Sequence, residues 1–77
     1  MNVEIEGQTY TVVRGSDVDR DGMYLELKIE GQPAEVAEVF YADETGEFSV
    51  TTFENRVPLA AMEWLIRQSR ELLPPIE

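Results

Sequence analysis

The residues whose types and spacing suit them for chemistry lie in one short stretch. Asp17, Asp19, Asp21 and Gly22 read D-x-D-x-D-G, the opening of a calcium loop of the EF-hand kind. Alternate carboxylates on a tight loop converge on a hard cation, and the glycine permits the sharp turn. Asp17, Asp19 and Asp21 are therefore the candidate calcium ligands. The continuation departs from that pattern. The twelfth position, which should carry a bidentate glutamate, is Lys28, and the ninth is Leu25. Helices are not expected on either side, and a strand follows. Glu26 serves as a substitute ligand only if that strand bends back. The competing reading is a hairpin loop in which Asp21-Gly22 makes the turn, and short motifs of this sort also arise by chance.

Other chemistry has little to draw on. The chain has no histidine, hence no side chain that titrates near neutral pH without help. It has no cysteine, which excludes disulfides, thiolate chemistry and cysteine-based zinc sites. Ser16, Ser49 and Ser69 have no visible activating base, which a nucleophilic serine requires. Lys28 is the only lysine and is flanked by acids, as a solvated surface pair would be. The glycines are dispersed and form no phosphate-binding loop. The expectation is a protein that is not an enzyme and needs no cofactor, calcium being the one candidate.

Such residues need elements to hold them, and the clearest is a C-terminal helix over about residues 56–73. Asn55 is the nearest capping residue, and Pro58 suits a first turn because its missing N–H is not needed there. Pro74-Pro75 ends the run, since the residue before a proline is pushed out of the helical region. At about 100° per residue, Leu59, Met62, Ile66, Ser69 and Leu73 fall on one stripe, with Leu65 and Leu72 on its flank. That stripe is expected to face the rest of the domain. Trp64 then points roughly 140° away from Leu59, beside Ala60 and Arg67. An indole there is either a protein–protein anchor, with Ala60 and Arg67 around it, or a cover for core left open by so small a domain.

Everything before the helix reads as strand. Val3 and Ile5 alternate with polar residues, and Thr9 to Val13 is β-branched and aromatic. Residues 14–22 are expected as a polar loop. Met23 to Glu30 alternates, with Met23, Leu25, Leu27 and Ile29 on one side and Tyr24, Glu26, Lys28 and Glu30 on the other. Ile-Glu-Gly-Gln occurs at residues 5–8 and again at 29–32, each time after an alternating run, as if one turn were used twice. Glu35 to Ala42 reads as a strand, although Pro33-Ala34-Glu35 also resembles a helix start. Asp43 to Gly46 is a turn, and Phe48 to Phe53 completes a hairpin. The predicted architecture is α+β: a five-stranded antiparallel meander over about residues 2–53, with one helix packed on one face, in a single domain spanning 1–77. In the last two strands Val36, Phe40, Phe48 and Val50 are expected on one side and Val39, Tyr41 and Phe53 on the other. Both sides there carry large apolar groups, so either the sheet coils around the helix or that region meets another chain, and a meander edge can also pair with its own copy.

The net charge of −10 is unevenly spread. Residues 1–50 hold twelve acids against three bases, whereas residues 56–73 hold two acids against three bases. So acidic a strand region repels phosphate backbones, which argues against nucleic acid. No stretch is apolar enough to span a membrane, and MNVEIEG has neither the basic start nor the apolar run of a secretory signal. The expected location is cytoplasmic. Three functions follow from these features. The first is a non-catalytic protein-interaction module able to form a homodimer. The second is an acidic inhibitor, of the immunity-protein type, for a basic protein. The third is a calcium-responsive domain acting through residues 17–22.

Overall fold

The repeated Ile-Glu-Gly-Gln closes two turns, each in its own way. Glu6 and Gly7 both take positive φ, 51° and 83°, and form a two-residue hairpin loop. The loop joins β1 (Asn2–Ile5) to β2 (Gln8–Asp17), with Ile5 opposite Gln8. In the second copy only Gly31 is left-handed, at 83°, and the Gln32 amide donates to the Ile29 carbonyl at 3.0 Å. That turn leads from β3 (Gly22–Ile29) toward β4 (Glu35–Ala42). A third turn with left-handed Gly46 reaches β5 (Phe48–Thr52), and α1 (Leu59–Leu72) follows. In this computed structural model, which describes residues 1–75, the strands form one antiparallel sheet in the order β1-β2-β3-β4-β5. The α+β meander with a single C-terminal helix is thus the observed architecture. Among the described residues, no helix is long and apolar enough to cross a membrane.

The polar stretch 14–22 is shorter as a loop than its composition suggests. Arg14 to Asp17 continue β2, with Arg14 opposite Leu25 and Asp17 opposite Gly22. Only Val18 to Asp21 lie outside the ladder. Two glycines make this extension possible. A β-carbon on Gly15 would run into the Tyr24 ring, and one on Gly22 would meet the Tyr41 carbonyl and the Phe40 ring. Each aromatic ring occupies the space beside a neighbouring strand's glycine, an arrangement that pins register.

Residues directly opposite in an antiparallel ladder share a face, so the register sorts the side chains. Val12, Leu27 and Ala37 line up on the face toward α1, as do Leu25, Val39 and Val50, and Met23, Tyr41 and Phe48. This corrects the expected split in the last hairpin. Phe48 and Val50 share a face with Val39 and Tyr41, while Phe40 stands on the far face opposite Ser49. Val36 escapes the strict alternation because the β3–β4 register shifts at Leu27/Lys28, and it is buried.

The helix lies on β3 and β4 but is rotated from the expected stripe. Its buried positions are Ala61, Leu65 and Ser69, and Leu73 just beyond its end is buried as well. Leu59 is 73% exposed and Ile66 lies at the edge of exposure. The reason is a competition between flanks. Trp64 and Ile66 lie on opposite sides of the Ala61–Leu65–Ser69 line, and an indole has the larger apolar area to cover. The rotation that tucks Trp64 half-buried against the core leaves Leu59 and Ile66 outside. Ala61 allows close approach, and the Ser69 hydroxyl donates to the Leu65 carbonyl at 2.6 Å, so its burial leaves no polar group unpaired. Pro58 occupies the N-cap position with no side-chain cap bond, so Asn55 does not cap the helix.

Candidate functional site

The sheet face away from α1 carries the ionisable groups. Glu26 on β3 stands directly opposite Glu38 on β4, two residues along from Lys28, which is opposite Glu35. Carboxylate oxygens of Glu26, Glu35 and Glu38 all lie within 4.8 Å of one another. Like charges so placed repel, and the fold answers with Arg20. From the short 18–21 loop its guanidinium reaches across the sheet and donates to both Glu38 oxygens, at 2.8 and 3.0 Å. Its Nε–H donates to Asp17 at 2.6 Å, and its Cζ lies 4.3 Å from the centre of the Phe40 ring. Glu38 is only 6% exposed, yet it is fully paired.

These contacts shift the titrating groups in opposite directions. The hydrogen bonds from Arg20 hold the Asp17 carboxyl below its ordinary value. Pairing with Glu38, and then Asp17, raises the Arg20 guanidinium further above its already high value. Glu26 moves the other way, up to about 7, mainly because burial disfavours its charge. Its hydrogen bond to Glu35 and the negative charges of Glu35 and Glu38 add to the rise, and Lys28 opposes it. Chemically, the cluster is a set of oxygen donors able to share a proton, with one member neutralised by Arg20.

The three candidate calcium ligands are not brought together. Asp17 Oδ1 accepts the backbone amides of Asp19 and Arg20, at 3.0 and 3.2 Å, and Asp17 Oδ2 is taken by the Arg20 side chain. Asp19 and Asp21 are exposed, with Asp21 in the left-handed region at φ 55°. A cation there has to compete with Arg20 for Asp17. Among the described residues, the one set of three acids gathered at ligand spacing is Glu26, Glu35 and Glu38. The expected interaction group is likewise divided: Trp64 packs against the core, Ala60 is half-buried, and Arg67 is exposed.

A second surface lies on the other side of the sheet, at its β5 edge. The Phe53 amide donates to the Val36 carbonyl at 2.9 Å, and the Ala42 amide to the Glu47 carbonyl at 3.0 Å. Antiparallel ladders alternate, so Ser49 and Thr51 also turn their backbone groups toward β4, and Phe48, Val50 and Thr52 turn theirs outward. No residue of β5 is charged, and no proline or bulge interrupts it. The opposite edge, β1, carries Glu4. Val50 is 47% exposed and Phe53 is 53% exposed. With Ile66 and Arg70 of α1, Val39, Phe48 and Val50 enclose a groove of about 170 Å³. That is below the roughly 300 Å³ at which small-molecule pockets begin, and it suits one or two side chains. Arg70 lies 5.5 Å over the Phe48 ring at one end.

Two larger hollows, of about 330 and 340 Å³, flank the two ends of the helix. The carboxylate cluster lines none of the three hollows, so ionisable groups and concavity do not coincide as they do in most active sites. The Arg20 arm was not legible as a site in the sequence, and the β5 edge was legible only as an apolar surplus on the last hairpin. Arg20 is a lone base among aspartates, whereas contact of the last two strands with another chain is an expectation whose exact edge and face depend on the register. No family model matches the chain, and no curated protein or solved structure matches it.

Proposed function

We propose that the protein is a non-catalytic interaction module that binds protein through the open edge of β5 and the groove between β5 and α1. One observation carries this reading. The outward backbone groups and the exposed Val50 side chain fall on the same uncharged strand, beside the exposed Ile66 of α1. Natural sheets usually blunt a free edge with charge, proline or a bulge, and an edge without them is a template for another strand. Strand addition takes its affinity from main-chain bonds and its specificity from alternate side chains in pockets. Here Val50 and the groove beneath Ile66 supply that pocket. Neither a cofactor nor a metal is needed for such binding.

The carboxylates of the far face favour a second reading, an acidic inhibitor that meets a basic protein there. One experiment separates the two: extended peptides selected from a displayed library are titrated into isotope-labelled protein, and the shifted amides are mapped. The edge reading predicts shifts over residues 48–53 and 59–66, lost in Val50→Lys. Shifts confined to the surroundings of Glu26 and Glu38, with binding that collapses as salt is raised, would contradict it in favour of the inhibitor.

A further inference from the structure

We propose that the edge is filled by a second copy of the chain, through antiparallel β5–β5 pairing centred on Val50 across a two-fold axis. The inference rests on the interaction-module reading and names the partner of that same edge. The strand is complementary to itself. With Val50 opposite its own copy, Phe48 faces Thr52 and Ser49 faces Thr51 of the second chain. Every β5 residue then pairs with a β5 residue. The backbone groups agree with this register. The residues whose N–H and C=O point outward are Phe48, Val50 and Thr52. The same three form the hydrogen-bonded pairs of the new ladder, in which each pair exchanges both bonds. A slip of one residue would set outward groups against inward ones.

Side-chain placement agrees as well. Phe48, Val50 and Thr52 lie on the α1 face in both copies, so the two helices share one side of a continuous ten-stranded sheet. Val50 meets its copy at the axis, where the groove under Ile66 joins the groove of the partner chain. Charge points to the same register. Two chains of net charge −10 repel over most of their surface, but β5 contributes no acid. Its flanking acids are also kept apart, with Glu47 opposite Phe53 and Glu54 opposite Gly46 of the second chain. Arg70, stacked over Phe48, comes to lie near the second chain's Thr52, two residues from its Glu54. An opposite charge there is complementary.

The test is molar mass by light scattering and sedimentation from micromolar to millimolar concentration, with two kinds of variant. The wild-type chain is expected to approach twice its 8.8 kDa mass as concentration rises. Val50→Lys places like charges directly opposite and is expected to raise the dissociation constant at least about 30-fold. Its thermal melt should stay unchanged where both proteins are monomeric, since Val50 is half-exposed on an edge. The chain lacks cysteine, so single thiols report the register. Paired α-carbons at the axis lie about 5.5 Å apart, within disulfide range. Val50→Cys should therefore oxidise to a covalent dimer. Ser49→Cys, set two residues from its own copy, should not. A monomer at every concentration overturns the second copy as partner and leaves the peptide titration to judge the module. A dimer that persists in Val50→Lys, or that cross-links equally well through Ser49→Cys, overturns the pairing.

Discussion

Glu26 and Glu38 face each other across β3 and β4, and the burial of that face determines what each can be. Glu38 is the more buried, and Arg20 donates to both of its oxygens. Glu26 has no such partner, and burial and its acidic neighbours raise it to about 7. A carboxyl raised in the folded state favours folding fully below its unfolded value, near 4.5, and that contribution is lost as pH rises through about 7. Asp17, lowered by Arg20, acts in the opposite sense: its contribution is present above its ordinary value of 3.8 and is lost as pH falls through the lowered one. Melting temperature should therefore fall between pH 5 and pH 8. Glu26→Gln keeps a donor for Glu35 and removes a charge, so it should flatten that slope and stabilise the protein by about 1 kcal/mol at pH 8. An unchanged slope in the variant would mean that Glu26 titrates normally. Arg20→Ala leaves Glu38 buried without its partner and should cost about 1–3 kcal/mol by denaturant titration. A loss within a few tenths would show that the clamp is a loose surface pair.

At the scale of the element, the helix tests how side-chain bulk chooses between rival faces. The spacing of Leu59, Met62, Ile66, Ser69 and Leu73 describes a real apolar stripe, and Ser69 and Leu73 are indeed buried. Periodicity does not rank one flank against the other, however. The rotation follows from an indole on one side and Ala61 at the point of closest approach, which require the sheet to be in place. Leu65→Ala should thus cost about 2–5 kcal/mol, whereas Leu59→Ala should cost under about 0.5 kcal/mol. Similar losses from both would return Leu59 to the packed face. The strands were legible where alternation was clean, as in Met23–Glu30. They were not where polarity concealed a strand, as in Arg14–Asp17, whose place in β2 depends on Tyr24 lying over Gly15. The acidic cluster was half legible. Alternation set Glu26 on the wet face, but its pairing with Glu38 depends on a turn and a register shift that the residue types leave open.

For the molecule as a whole, the meander leaves two free edges of different character. β1 is short and carries an acid, while β5 is uncharged and borders exposed apolar side chains of both sheet and helix. A chain of this size buries a modest core, and a second copy is one way to complete it. Large apolar groups on the last hairpin were visible in the sequence as surplus. Where that surplus lies became clear only when the register set Phe48 and Val50 beside Val39 and Ile66, and Trp64 against the core. The most direct measurement of the central claim is amide hydrogen exchange along β5, residue by residue, in dilute and concentrated solution. Ser49 and Thr51, bonded to β4, should exchange slowly in both. Phe48, Val50 and Thr52 should exchange fast when dilute and become protected when concentrated. Fast exchange of those three at both concentrations would contradict a second copy on the edge.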